Sequence, residues 1–483
     1  MQEKVSKKEE PRKIEMKSGL EIHQQLDTGK LFCRCPSILR NDNPDWIVNR
    51  KLHAVAGEGG RVDIAVKHEQ EKDKEFVYEG YKDSNCLIEL DEEPPREIDS
   101  EALKICLQVA VLLNCEIIPV TQIMRKTVID GSNTSGFQRT VLIARNGWVQ
   151  TERGRVGIQT ICLEEDAARI IKHEEGKTIY RLDRLGIPLI EITTYPEIFY
   201  PEQVKEVALK LGDILRACKV KRGIGTIRQD VNISVPGHSR VEIKGFQDPG
   251  MMIKTVELEI ERQKKELASK KKFIAEVRKA NPDGTTSFLR PMPGAERMYP
   301  ETDLPLLKIS RELTNEVRNS LPKLREDIRG ELKQKGLNDE MIKLVLSSGM
   351  LEEFETLLKV YNNSVFVAKI LFLMPKEIAS HEKVNENIFS VDIIETILKA
   401  VKDKKISEED AKGVMEKIAK NIPVSEALKV EKKDMGEIET EIAKIVKEKP
   451  GLSIGGYMGL VMAKFKGKVS GKEVSDILGK LVK

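Results

Sequence analysis

The hydrophobic period of this chain changes once, near residue 320, and that change limits the fold more than any single motif. Before it, short β-branched or alternating runs (RVDIAV, RVGIQTICL, PLIEITTY, GTIRQDVNISV, RVEIKGF) are broken by Gly, Asp and Pro. A period of two reads as strands with one face buried. Two intervening segments, EALKICLQVAVLLN and PEQVKEVALKLGDILRACK, have helical spacing. After YPETDLPLLKIS the strand signals stop, and residues 321–430 repeat Leu, Ile and Val at helical spacing between Lys and Glu, the pattern of a helical bundle. The expected fold is α+β: a mostly antiparallel β-sheet cradle domain over 14–320, an all-α helical linker domain over 321–430 and a small helical tail domain over 431–483. A flexible charged tail, residues 1–13, precedes them. At 483 residues the chain exceeds what one core usually supports, which also favours several domains.

Charge is abundant and balanced, with 81 basic against 78 acidic side chains, so any polyanion site must be local. Residues 442–483 carry nine lysines against three acids. Lys464, Lys466 and Lys468 alternate there in KFKGK, as a nucleic-acid footprint would, although a solvated lysine face has the same look. Seven cysteines form an odd set without paired spacing, and the first 13 residues are charged where a signal peptide is apolar. Reduced thiols and a cytoplasmic location are expected. No apolar run approaches the ~20 residues that span a bilayer, so no membrane partner is expected.

The chemistry-bearing residues concentrate in the first half. GxxxxGK[ST] does not occur, so a nucleotide, if used, is not held by a P-loop, and a metal on carboxylates is another way to hold one. In GLEIHQQLDTGKLFCRC, Glu21 and His23 are two residues apart in a strand-like run and point to one face. GIQTICLEEDAARI places Glu164, Glu165 and Asp166 at a strand end, PLIEI places Glu191 inside an apolar run, and IRQDVNISV places Asp230 and Asn232 on one face. A buried carboxylate is costly without a cation or donor. Mostly oxygen ligands on several strands suit a hard ion such as Mg²⁺. Taken singly, each residue has a plainer reading: an acid cluster at a helix start, a carboxylate paired to arginine, a scaffold histidine. Cys33 and Cys35 have Cys86 as a third partner, which leaves a structural zinc one ligand short of the usual four.

GLEIHQQLDTGKLFCRCPS, CLIELDEEPP, CLEEDAARI, RLDRLGIPLIEIT, IRQDVNISV, EIKGFQDPGMM and LRPMPGAERMYPETDLP together resemble the E-type subunit of archaeal glutamyl-tRNA(Gln) amidotransferases and, more distantly, the bacterial B-type subunit, which form one GatB/GatE family. The closing GGYMGLVMAKFKGKVSGKEVSDIL resembles that family's tRNA-binding tail. The resemblance implies an enzyme that activates the glutamate of misacylated Glu-tRNA(Gln) with ATP as a γ-glutamyl phosphate and displaces the phosphate with ammonia. The ammonia would come from an asparaginase-like partner, the D-type subunit, in a dimer of heterodimers. By motif position Glu21, His23, Glu165 and Glu191 match the family's metal-binding and catalytic group, with Asp230 nearby. Arg184, Arg228, Lys244, Arg290 and Arg297 lie in the matching motifs, where ATP phosphates or the tRNA terminus need cations. The resemblance is incomplete in one respect. E-type subunits carry a large aspartyl-tRNA-synthetase-like insert, whereas GFQDPGMMIKTVELEIERQKKELASKKKFIAEVRKANPDGTTSFLRPMPG has room for one long helix and a turn. A B-type subunit working with an A-type amidase and a small C-type protein, and a non-catalytic RNA-binding assembly protein, are the alternatives.

Overall fold

A computed structural model describes residues 16–53, 60–62, 66–67, 74–246, 249–269, 273–292, 298–429, 435–464 and 471–481. The expected N-terminal tail, residues 1–13, lies outside them. The chain divides into two compact units, Met1–Arg325 and Glu326–Lys483. The first carries the strands and the second is helical, so the α+β reading holds.

Eleven strands of the described residues form one sheet: β1 (Lys17–Gln25), β2 (Glu116–Ile117), β3 (Ile123–Thr127), β4 (Phe137–Thr151), β5 (Gly154–Glu165), β6 (Pro188–Thr194), β7 (Ile227–Ser234), β8 (Val241–Phe246), β9 (Glu276–Ala280), β10 (Thr286–Pro291) and β11 (Met298–Pro300). Their order is β10-β9-β8-β7-β1-β6-β5-β4-β3-β11, with β2 beside β4. Every pair is antiparallel except β8 with β9. A parallel pair needs a crossover, and helix α3 (Pro249–Ala268) supplies it.

Two further helices, α1 (Ser100–Leu112) and α2 (Pro201–Ala217), cover one face of this sheet. The Asp99 carboxylate accepts the Ala102 N–H at 2.8 Å and starts α1, and Pro201 opens α2. Leu20 and Ile22 of β1, Ile161 and Leu163 of β5, Ile190 and Ile192 of β6 and Val231 and Ile233 of β7 share one buried core with Leu107 of α1 and Leu211 of α2. Each such side chain contributes about 1.5–3 kcal/mol by leaving water. The alternate residues, Glu21, His23, Glu191 and Asp230, therefore take the opposite face. A one-residue slip of β1 would put Glu21 and His23 into the core, so burial itself fixes the register of the site.

A four-stranded sheet, Trp46–Arg50, Glu75–Gly80, Lys177–Arg181 and Arg169–Glu174 in that order, carries its own core of Phe76, Tyr78, Tyr180 and Leu182. A Cβ on Gly80 would stand 2.0 Å from the Trp46 ring, so only glycine admits that ring. In the helical unit, one hydrophobic cluster runs from Leu332 to Ala427 and another from Ile438 to Leu478. The segment expected to hold one long helix and a turn holds more. After α3 come β9 and β10, a hairpin turning at Asn281–Gly284. Phe288 and Leu289 of β10 are adjacent and both exposed, so no alternation marks the strand in the sequence.

Candidate active site

The open face of the sheet carries a belt of charge set by strand register. Glu21 lies opposite Asp230 and His23 opposite Arg228 across β1 and β7, while His23 faces Glu191 on β6. On β5, Cys162 stands opposite Glu191 and Glu164 opposite Leu189. Side chains directly opposite share a face, which brings together Glu21, His23, Glu164, Glu191 and Asp230.

The contacts follow from that placement. His23 Nε2 is 3.2 Å from Glu191 Oε2 and 3.5 Å from Glu21 Oε1. Lys126 Nζ donates to Glu164 at 2.6 Å and lies 3.8 Å from Glu191, and Gln138 donates to Glu164 at 3.1 Å. Lys244 donates to Asp230 at 2.6 Å and also pairs with Glu242. Burial, followed by the charge of Glu191, pushes the Glu21 carboxyl up to about 7, against the pull of His23 and Lys244. For His23, burial works to lower the pKa, but the hydrogen bond and charge of Glu191, with Glu21 and Glu164, raise it. Burial likewise works to lower the pKa of Lys244, while Asp230, Glu242 and Glu21 raise it. The belt has more acid than the local cations offset, the condition under which a divalent ion is favoured. Ligand atoms of Glu21, His23 and Asp230, and those of His23, Glu164 and Glu191, lie within 4.8 Å of one another. Four carboxylates and one imidazole fit Mg²⁺ rather than a thiophilic metal.

Above the belt opens a cavity of about 1000 Å³ lined by Glu21, His23, Lys126, Glu164, Asp166, Arg228, Asp230, Lys244 and Arg290, among others. Arg228 donates to Asp166 at 2.9 Å, and the Gln25 amide donates to the same carboxylate at 2.6 Å. The buried Asp166 thus holds Arg228 at the cavity wall.

Glu165 does not join the belt, and the sequence expectation is corrected here. Successive residues of a strand take opposite faces, so Glu165 turns to the other side of the sheet. There it is buried 3.3 Å from Arg139 Nη1, whose Nε donates to Glu301 at 2.8 Å. Burial raises its pKa against the pull of Arg139. Glu164 occupies the place expected of it. Arg184 is also drawn away from ligand duty: it donates to the carbonyls of Ala167 and Ala168 at 2.8 Å each and fixes the turn after β5. Arg297, Lys466 and Lys468 lie outside the described residues, and Lys464 pairs with Glu441 at 2.5 Å. No sequence motif marks Lys126 or Gln138 as site residues. Lys126 had a weak signal as a cation in the strand IMRKT.

Cys33, Cys35 and Cys86 converge, and the fourth donor is Glu89, from the turn that follows Cys86. Its Oε1 accepts from Cys33 Sγ at 3.2 Å and from the fully buried Lys30 Nζ at 2.8 Å, and its Oε2 accepts from Cys86 Sγ at 3.0 Å. Three thiols and a carboxylate make a four-ligand set suited to zinc.

A sheet cradle with an acid–histidine belt defines the class, and residues 16–315 match the GatB/GatE catalytic domain family. Over 98% of its length the chain is 36% identical to the E-type subunit of the Glu-tRNA(Gln) amidotransferase of Methanocaldococcus jannaschii, covering 99% of that protein. The E-type subunit of Archaeoglobus fulgidus is 35% identical, with 98% of each chain covered, and that of Thermococcus sibiricus is 35% identical over 97% of this chain and 98% of its own. The chain belongs to the family of E-type subunits of glutamyl-tRNA(Gln) amidotransferases, which are transamidating ligases. The first alignment runs over 623 positions against 483 residues here, so at least 140 positions of that relative have no counterpart in this chain. No helix of the described residues is long and apolar enough to cross a membrane.

Proposed function

We propose that the cradle converts misacylated Glu-tRNA(Gln) to Gln-tRNA(Gln) in the cytoplasm by a two-step, ATP-dependent reaction. A γ-carboxylate oxygen of the esterified glutamate attacks the γ-phosphorus of ATP. The bond from that phosphorus to the β,γ-bridging oxygen breaks, and ADP leaves. Ammonia then attacks the acyl carbon of the γ-glutamyl phosphate, loses a proton, and phosphate departs with the former carboxylate oxygen. Phosphoryl transfer asks mainly for positioned cations. Glu21, His23, Glu164, Glu191 and Asp230 would hold Mg²⁺, which supplies charge neutralisation at the phosphate oxygens. Lys126, Lys244, Arg228 and Arg290 face the same cavity and complement phosphate from the protein side.

The observation that carries this reading is the convergence of four carboxylates and His23 on the open face of the sheet, beside two lysines, under a cavity large enough for a nucleotide. Further parts of the reading are the ammonia source, an asparaginase-like D-type partner in a dimer of heterodimers, and a tail that binds tRNA. A structural zinc at Cys33, Cys35, Cys86 and Glu89 completes it. The test is ADP release by the purified chain with ATP, Mg²⁺, ammonium and Glu-tRNA(Gln). ADP and Gln-tRNA should form together, with neither asparagine nor glutamine replacing ammonium. Asparagine or glutamine hydrolysis by the chain alone, or ADP release indifferent to Glu-tRNA(Gln), would refute it.

A further inference from the structure

The cavity above the acid belt has one wall unlike the rest. It is made by Gly223, Ile224, Gly225 and Ile227 leading into β7 and by Gly245 and Phe246 at the end of β8. Ile224 is 102% exposed, the most exposed of the large apolar side chains described. Its neighbours Gly223 (φ +118°) and Gly225 (φ +84°), and Gly245 (φ +93°) at the bulge between Gln229 and Val231, have positive φ and nothing within 4 Å of where a Cβ would stand. Phe246 is largely buried, so the wall presents mainly bare backbone and aliphatic carbon to open space.

The loop that carries Ile224 is nevertheless anchored. Gln24, buried beside His23 on β1, donates through Nε2 to the carbonyls of Lys221 at 2.9 Å and Thr226 at 3.1 Å. The Thr226 hydroxyl closes the loop on the Gly223 carbonyl at 2.8 Å. Lys221, which donates to the Ser37 carbonyl at 2.5 Å, Arg222, which donates to the Arg216 carbonyl at 3.4 Å, and Arg228, held by Asp166 at 2.9 Å, flank it and keep their charge beside the loop. Single-stranded nucleic acid is gripped by apolar surface under the bases and cations along the phosphates, and this loop offers both.

We propose that Ile224, with the bare backbone of Gly223, Gly225 and Gly245, is a plate for an adenine ring, namely that of the 3′-terminal nucleotide of the aminoacyl-tRNA. The assignment rests on the function proposed above, in which two adenosines must enter one cavity. At about 1000 Å³ the cavity is at the upper limit for a single small ligand, so it has room for both. ATP must bring its phosphates to the acid and lysine floor. A side chain standing wholly in solvent is at the mouth, where the end of a macromolecule has to pass.

Ile224→Ser tests this without a folding penalty, because the side chain packs on nothing inside the protein. In the complete enzyme with ammonium, the change should raise KM for Glu-tRNA(Gln) about five- to tenfold, as expected for losing a half-covered isoleucine contact. KM for ATP and kcat should stay unchanged, and Ile224→Leu should restore the parent value. Binding of uncharged tRNA(Gln) ending in adenosine or in an abasic nucleotide reads the same contact without turnover. The parent should lose affinity on removal of the base, and the serine variant should not. A rise in KM for ATP instead, no rise in either KM, or an equal abasic penalty in both proteins would overturn the assignment. A parent that binds the two tRNAs as predicted yet never forms Gln-tRNA would refute the functional reading and leave the plate standing.

Discussion

Glu164 and Glu165 are adjacent and chemically identical, and the structure predicts opposite consequences for their loss. Glu164 faces the belt, with Lys126 at 2.6 Å and Gln138 at 3.1 Å. Glu164→Gln keeps its shape and removes one of the carboxylates that would hold Mg²⁺. Lys126 retains Glu191 at 3.8 Å and the acid-rich belt loses one like charge, which offsets part of the broken buried pair with Lys126, so the destabilisation should be smaller than that of Glu165→Gln. Activation of Glu-tRNA should fall by about 10²- to 10³-fold, the usual cost of one group that stabilises developing charge. Glu165→Gln instead breaks a buried pair in which Arg139 is 5% exposed. Removing one partner of such a pair costs about 3–5 kcal/mol, and the lower figure applies here because Arg139 keeps Glu301 at 2.8 Å. Thermal unfolding and ADP release, measured on the same preparations, separate the two. Glu164→Gln should be folded and inactive, and Glu165→Gln the more destabilised of the two but active per folded molecule below its melting temperature. A stable, inactive Glu165→Gln beside an active Glu164→Gln would show that the two faces have been assigned the wrong way round.

Because burial and Glu191 hold the Glu21 carboxyl at about 7, a proton competes with the metal below that pH. The raised pKa of His23 acts in the same direction, so Mn²⁺ or Mg²⁺ affinity measured by calorimetry should fall at least about tenfold per unit below pH 7 and level off above it. A flat profile from pH 6 to 8 would contradict this. Metal analysis should find one zinc per chain, lost together with several degrees of melting temperature in Cys33→Ser; a metal-free chain of unchanged stability on chelation would remove the zinc from the account. Deleting residues 431–483 should raise KM for Glu-tRNA(Gln) at physiological salt and reduce the slope of log affinity against log salt by about 0.7–0.9 per lost phosphate contact. Equal slopes for the full and shortened chains would show that the tail does not bind tRNA.

The sequence made the belt legible where one strand carries its own parity. Glu21 and His23 share a face because they are two apart, and Leu20 and Ile22 say which face is buried. Parity is obscured along β5, where Ile158 and Ile161 are both buried although three residues apart because the pairing is irregular between them, and motif position points to Glu165, which the strand turns away from the belt. Glu89 was hidden for a different reason. In CLIELDEEPP it is one of several acids that resemble a solvated turn, and only the left-handed stop at Asp91 and the buried Lys30 reveal that it points inward. Arg184 reads as a ligand cation in sequence, but the carbonyls it holds belong to a turn whose shape no local pattern encodes.

In the proposed reaction, ATP bound over the belt transfers its γ-phosphate to the γ-carboxylate of the glutamate. Glu-tRNA(Gln) carrying ¹⁸O in that carboxylate, turned over with ATP, Mg²⁺ and ammonium, tests it directly. One labelled oxygen should appear in inorganic phosphate for each Gln-tRNA formed, and the label should stay out of phosphate with Glu164→Gln or Glu191→Gln. Gln-tRNA formation with no ¹⁸O in phosphate would mean that the carboxylate never reacts with ATP, and would contradict the two-step reaction.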